Sequence, residues 1–514
     1  MKQRRNIRRA AIAASIGLAA SLAPPALADN GTNTAPLRAA VSATNIMKHL
    51  AALQAVADAN DGTRAASTPG YEASARYIED KLRAAGYTPV RQTFPYDRYE
   101  TVSASLERLA PSPKSYGYDA PDGFLDMTYS GSGNVTAPLA AVDLNLTGDR
   151  ASTSGCEASD FGGFTAGSIA LIQRGTCSFR IKADNAAAAG AAGVIIFNQG
   201  NVDPGDERFE LFAGTLGAPQ AGIPVVSTSF ATGAELAGLT GVSMHLSVNA
   251  TVTSLTSFNI LADTGGRSDR TVVVGAHLDS VPEGPGINDN GTGTASILET
   301  AIHLKATGQT PVNRVRFAFW GGEEPGLIGS DYYVSQLTSS QIKGHSVNLN
   351  FDMVGSPNFV RFVYDGDGSS FGTKGPNGSA LVEKVFLDYF KSQNLPTAPT
   401  EFDGRSDYSG FIDNGIPAGG LFTGAEGLKT ADEAAVFGGT AGVPYDACYH
   451  AACDALDTAD DNDNVNTTVL EQMADAIAHS TLTFAMTTSA INGTSKGNGS
   501  GSADLQYKAS KLLK

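Results

Sequence analysis

At 514 residues, with 42% hydrophobic and only 17% charged residues, the chain is longer than one ordinary hydrophobic core and predicts two compact folded units. A formal net charge of −16 repels phosphate backbones and argues against nucleic acid as a partner. Beyond the N-terminal leader, no apolar run is long enough to cross a membrane.

The leader carries Lys2, Arg4, Arg5, Arg8 and Arg9, then the apolar run AAIAASIGLAASLA and an ALA site before Asp29. This pattern predicts a signal peptide over 1–28, cleaved after Ala28, and an extracellular mature protein without a membrane anchor. Removing those five cations makes the mature chain more acidic still. NIMKHLAALQAVADA and YEASARYIEDKLRAAGY then predict two helices, the second with Ile78 and Leu82 one turn apart and Gly86 as its stop. VRQTFPYDRYE reads as a strand.

From about residue 131 the pattern changes to SIALIQRGTCSF, the alanine-rich helix KADNAAAAGAAG, and the strands VIIFNQ and IPVVSTS. This block, 131–251, predicts an inserted β-rich module. After it, FNILAD, TVVVGAHL, VRFAFW, VNLNFDM, FVRFVY and PAGGLFTG alternate with helical segments such as GTASILETAIHLKAT. Apolar strands with intervening helices predict an α/β sandwich around a largely parallel sheet, assembled from 29–130 and 252–490. The Gly/Ser-rich tail, 491–514, reads as flexible. The four cysteines, Cys156, Cys177, Cys448 and Cys453, are read most simply as two local disulfides in an oxidising compartment. A cysteine zinc site is the rival reading, though the spacings do not resemble a CxxC pair.

Metal-type side chains cluster at strand ends. VVVGAHLDS presents His277 and Asp279, FAFWGGEE presents Glu323 and Glu324, and NLNFDMVG presents Asp352. The loop GPGINDNG adds Asp289, and CYHAACD adds His450. In open α/β sheets, sites gather beyond the carboxyl ends of strands. Five carboxylates converging there would repel one another unless cations sat among them. Mixed carboxylate and imidazole donors suit zinc, and this many acids suit a pair of ions sharing a carboxylate. His49 and His303 in helices, His245 in the module, His345 in a polar turn and His479 in the last helix read as structural.

HLDS, GINDNGTGTASILE, FAFWGGEEPGLIGS, NFDMVGSP, GRSDYSGF, GGLFTGAEG and CYHAACD together resemble the secreted M28-type dizinc aminopeptidases, notably those of actinomycetes. The resemblance covers roughly residues 46–96 and 258–490, and the inserted block resembles the protease-associated (PA) domain. It implies the zinc exopeptidase fold, an α/β/α sandwich around a mostly parallel mixed sheet. It also implies two zinc ions, one on His277 and Asp352, the other on Glu324 and His450, with Asp289 bridging. Glu323 matches the general base, Asp279 the acid that orients His277, and Tyr449 the hydroxyl that supports the oxyanion.

In relatives the α-amino group is held by acids at the positions of Glu323 and Asp352 and by main chain near Arg405. Phe422 matches a wall of the first side-chain pocket, which implies large apolar N-terminal residues. A cis peptide is expected after the bridging acid, between Asp289 and Asn290. Glu471 and Asp475 match positions that bind calcium in some relatives, with one Asp replaced by Glu. The implied substrates are peptides or proteins with a free N-terminus, and a monomer is expected. A carboxypeptidase or amidohydrolase of the same fold is the alternative, and a metal-free receptor-like scaffold a more distant one.

Overall fold

The computed structural model describes residues 32–203, 206–219, 222–456, 463–489 and 491. The expected signal peptide, the expected tail except Ile491, and most of the acidic run LDTADDNDN lie outside the described residues.

Helix Ala43–Asp58 is capped by Ser42 and helix Pro69–Ala84 by Thr68, whose hydroxyl accepts from Tyr71 N, with Pro69 in the first turn. Both placements supply acceptors for the open N–H groups of a helix start. The helix ends before Gly86, whose φ of 89° is in the left-handed region.

The peptidase half is a mixed sheet. Its strands run in the order Ala398–Thr400, Phe362–Tyr364, Ala418–Phe422, His345–Phe351, Arg267–His277, Asn313–Trp320 and Ser243–Asp263. The pairings around Arg267–His277 are parallel, and those of Asn313–Trp320 with Ser243–Asp263 and of Phe362–Tyr364 with Ala418–Phe422 are antiparallel. Strand alternation sorts the core. Val272, Val274 and Ala276 face the larger core, with Leu50, Ile78, Leu298 and Ile477 from four helices. Val273 faces the opposite side, against Tyr333, Val334 and Phe411. Burial on both faces explains the near-continuous apolar runs.

The register pairs His277 with Trp320, Gly275 with Asn350, and Asn350 with Gly420. The carboxyl ends of four strands therefore finish along one rim.

The inserted module builds its own cores around Ile169, Ile195, Phe197 and Val226 on one face and Ile172, Phe179, Val194 and Ile196 on the other. Strand Ser243–Asp263 pairs along nearly its whole length with Val90–Ala110, and its two ends join different halves. Residues 243–248 pair with the module strand Gly133–Val142, whereas 260–263 pair with Asn313–Trp320. The expected division at 251/252 thus falls inside one continuous strand. Leu106, Tyr116 and Phe124, which precede 131, pack in the module's core. Both expected disulfides are present, Cys156–Cys177 within the module and Cys448–Cys453 beside the rim.

Candidate metal centre

Two triads form at the rim. His277 Nε2 lies 3.2 Å from Asp289 Oδ1 and 3.3 Å from Asp352 Oδ1. His450 Nε2 lies 3.3 Å from Asp289 Oδ2 and 3.0 Å from Glu324 Oε2. Asp289 thus presents one oxygen to each histidine. Donors bound at about 2.0–2.1 Å around one tetrahedral ion sit about 3.3 Å apart, and these four histidine–carboxylate distances match that spacing. Asp352 Oδ1 and Glu324 Oε1 are buried and make no hydrogen bond, which is costly without a cation. The donor set fits zinc.

The electrostatics agree. Burial raises Glu323 well above the ordinary carboxylate range, and burial with Asp289 lifts Glu324 to about 7. Burial opposes charge on His450, but Asp289 and Glu324 raise it to about 10. Burial likewise opposes charge on His277, and Asp352 and Glu323 overcome it. Without metal, protons supply the positive charge that these acids require. Adjacent Glu323 and Glu324 face different histidines, with Glu323 Oε2 4.0 Å from His277 Nε2.

Asp279 meets His277 through both its main chain and its carboxylate. His277 Nδ1 is 3.1 Å from the main-chain oxygen of Asp279 and 3.8 Å from its carboxylate. That carboxylate accepts from the amides of Glu323 at 3.3 Å and Glu324 at 3.4 Å. It joins two strand ends while staying within ion-pair distance of the imidazole. Ser406 donates to Asp352 Oδ2 at 2.6 Å and accepts from Asn350 Nδ2 at 2.8 Å, which fixes that carboxylate.

The loop between His277 and Asp289 is held from outside. Arg64, fully buried, donates to the carbonyls of Pro285 at 2.7 Å, Gly286 at 2.6 Å and Leu278. Gly286 has a φ of 61°, and a Cβ there would lie 2.3 Å from Asp289 O. The Asp289–Asn290 peptide is cis, as expected. Asp454 carboxylate oxygens accept from the amides of Asn288 at 2.7 Å and Asp289 at 2.9 Å, and its carbonyl from Ile287 at 3.1 Å. Asp446 binds Asn288 Nδ2 at 2.6 Å, and Asn464 joins Asp446 to Asp454. The disulfide loop thus carries His450 while Asp454, beside it, grips the backbone of Asp289. Sequence reading missed Arg64, Asp446 and Asp454. The short spacing of Asp454 from Cys453 was the only local hint.

The remaining histidines have protein partners: His49 with Tyr77 and Glu299, His303 with Glu299, His245 with Asn134, His345 with Tyr333, and His479 with Thr34. Glu471 accepts from Ala43 N, and Asp475 Oδ2 lies 3.8 Å from Arg38 Nη1, so this like-charge pair is compensated within the protein.

The centre opens into a cleft of ≈ 590 Å³. Met353, Phe362, Phe422 and Tyr445 line its apolar part, with the Phe362 and Phe422 rings stacked at 5.9 Å. Arg405, Glu426 and Tyr449 line its polar part, and Ala213 of the inserted module reaches its edge.

Paired triads of carboxylates and histidine, at the carboxyl edge of an open α/β sheet, define a metal-dependent hydrolase. Peptidase family M28 matches residues 259–480, and the PA domain matches residues 135–236. An aminopeptidase of Pseudomonas aeruginosa is 48% identical over 455 residues, covering 88% of this chain and 82% of its own. Among solved structures, the aminopeptidase from Aneurinibacillus sp. strain AM-1 aligns with a TM-score of 0.66 at 27% identity, covering 87% of this chain and 95% of that one. A zinc aminopeptidase from Bacillus subtilis aligns with a TM-score of 0.55 at 26% identity, covering 86% and 94%. The chain belongs to peptidase family M28, as an aminopeptidase with an inserted PA domain.

Proposed function

We propose that the protein is a secreted, two-zinc aminopeptidase that removes large apolar N-terminal residues from peptides and proteins. The observation that carries this reading is Asp289, with one oxygen 3.2 Å from His277 and the other 3.3 Å from His450. A single ion would leave one of these histidines and its carboxylate partner unused. His277 and Asp352 would hold one zinc, Glu324 and His450 the other, and Asp289 both. Zinc bound there supplies Lewis acidity, which lowers the pKa of water towards about 7 and polarises a carbonyl.

Glu323 takes the proton from the attacking water and returns it to the leaving amine. It lines the cleft, with Oε2 4.0 Å from His277 Nε2, farther from that histidine than Asp289 or Asp352. Glu323 and Asp352 offer negative charge to the substrate α-ammonium, with main chain near Arg405 as a further acceptor. The Tyr449 hydroxyl donates to the oxyanion of the tetrahedral intermediate. Phe422, Phe362, Met353 and Tyr445 supply apolar surface for the first side chain, which supports the preference for large apolar residues. Two closed disulfides support an oxidising, extracellular location. No helix among the described residues is long and apolar enough to cross a membrane.

The test is hydrolysis of leucine para-nitroanilide and its N-acetylated form, before and after chelation and zinc add-back, with metal analysis. Activity on the free-amine substrate should vanish with chelation and return with two zinc equivalents. Full activity without metal, or preference for the blocked substrate, would overturn the proposal.

A further inference from the structure

Three loops from separate parts of the chain meet on the polar side of the cleft. Arg405 precedes helix Ser409–Asp413, Glu426 follows strand Ala418–Phe422, and Tyr449 sits inside the Cys448–Cys453 loop. Arg405 Nη1 donates to Glu426 Oε1 at 2.8 Å, and Nη2 donates to the Tyr449 hydroxyl oxygen at 3.1 Å. The Tyr449 ring stacks on the His450 ring, centroids 3.8 Å apart and planes at 22°.

This geometry restricts the phenol in two ways. Stacking on a metal-binding imidazole fixes the ring plane. The guanidinium occupies an acceptor position of the hydroxyl, so its single proton has to point elsewhere. Among the described residues the hydroxyl has no other hydrogen-bond partner, and it lines the same cleft as Asp289, Glu323 and Glu324. A bond accepted from a cation also polarises the O–H and strengthens it as a donor. The planar fork of Arg405 serves Glu426 and Tyr449 together, which a lysine ammonium on a flexible stem would do poorly.

We propose that Glu426 and Arg405 are positioning residues that aim and polarise the Tyr449 hydroxyl toward the developing oxyanion. The inference rests on the oxyanion role given to Tyr449 above and adds Glu426 as the anchor of the relay. It also gives the Arg405 side chain a task separate from substrate contact by its main chain. Glu426 is exposed at the cleft wall, so its replacement should leave the fold intact.

The experiment measures kcat and KM for leucine para-nitroanilide with Tyr449→Phe, Glu426→Gln, Arg405→Lys and the double variants Tyr449→Phe/Glu426→Gln and Tyr449→Phe/Arg405→Lys. Zinc content and thermal midpoint are recorded for each. Tyr449→Phe should lower kcat about a hundredfold. Glu426→Gln and Arg405→Lys should each lower kcat about tenfold with KM unchanged, and should add nothing in the Tyr449→Phe background. The relay is overturned if either relay variant keeps full kcat, changes KM alone, or multiplies with Tyr449→Phe. If Tyr449→Phe itself keeps full kcat, the oxyanion role falls with the relay, while the chelation test of the two-zinc reading stands unaffected.

Discussion

Asp454 offers a direct measure of how Asp289, the proposed shared ligand, is held. Replacing it with Asn keeps the volume but turns one acceptor oxygen into an NH2 group. The cheaper orientation keeps oxygen toward Asn288 N and Asn464 Nδ2, and sets NH2 against Asp289 N, which now donates at 2.9 Å. One charge-assisted bond is lost in a buried site, which costs about 1.5–3 kcal/mol. If the loop stays ordered without zinc, the whole cost falls on the fold, as a midpoint lower by about 2–4 °C. If zinc has to order the loop, the cost falls on binding, as about ten- to a hundredfold weaker affinity. Thermal unfolding of the metal-free protein and competition with a fluorescent chelator separate the two cases. A variant with both quantities at wild-type values would show that Asp454 does not hold the loop.

Glu323→Ala should retain zinc and lose nearly all turnover, and near-normal kcat in the zinc-loaded variant would remove Glu323 as the base. Arg64→Gln should destabilise the fold by about 2–5 kcal/mol, because buried carbonyls lose their donors. Denaturant unfolding checks this, and an unchanged midpoint would deny Arg64 its part. In the metal-free protein His450 at about 10 and Glu324 at about 7 hold protons that zinc has to displace, so zinc affinity should rise with pH across that window. Calorimetry in buffers of different ionisation enthalpy should find about one proton or more released per chain at pH 7. The raised value of His450 also stabilises the metal-free fold fully below its unfolded value near 6.5, a contribution lost as pH rises through about 10.

Three of the proposed ligands, and Glu323, were legible as a cluster because each ends or follows an apolar strand whose burial the sequence already shows, whereas Asp289 and His450 lie outside the strands. His277 ends TVVVGAH, Glu323 and Glu324 follow FAFW, and Asp352 follows NLNF. Parallel packing then brings those ends to one rim without further information. Arg64 was not legible, because TRAASTPG looks like an ordinary loop before a helix and its partners lie over two hundred residues later. Glu426, in GAEG, reads as a turn acid until its pairing with Arg405 is seen. The Asp279 carboxylate was expected on His277, but local spacing could not show that two neighbouring amides share it. Alternation likewise marks VRQTFPYDRYE as a strand without revealing that the strand continues into the inserted module.

That continuity limits how the two halves can be separated. There is no loose tether to cut, because Val90–Ala110 and Ser243–Asp263 form one ladder from end to end. A minimal enzyme would have to be trimmed at facing rungs, for example at Tyr99 and Val252, and closed by a short hairpin turn. Trimming one strand alone would leave its partner with a row of unpaired amides and carbonyls, an invitation to self-association. The same ladder ties the module to the peptidase half through two paired strands, with register shifts between Thr101/Ser103 and Arg108/Ala110. Swapping in a module from a relative should succeed only when the graft preserves the rung count on both strands.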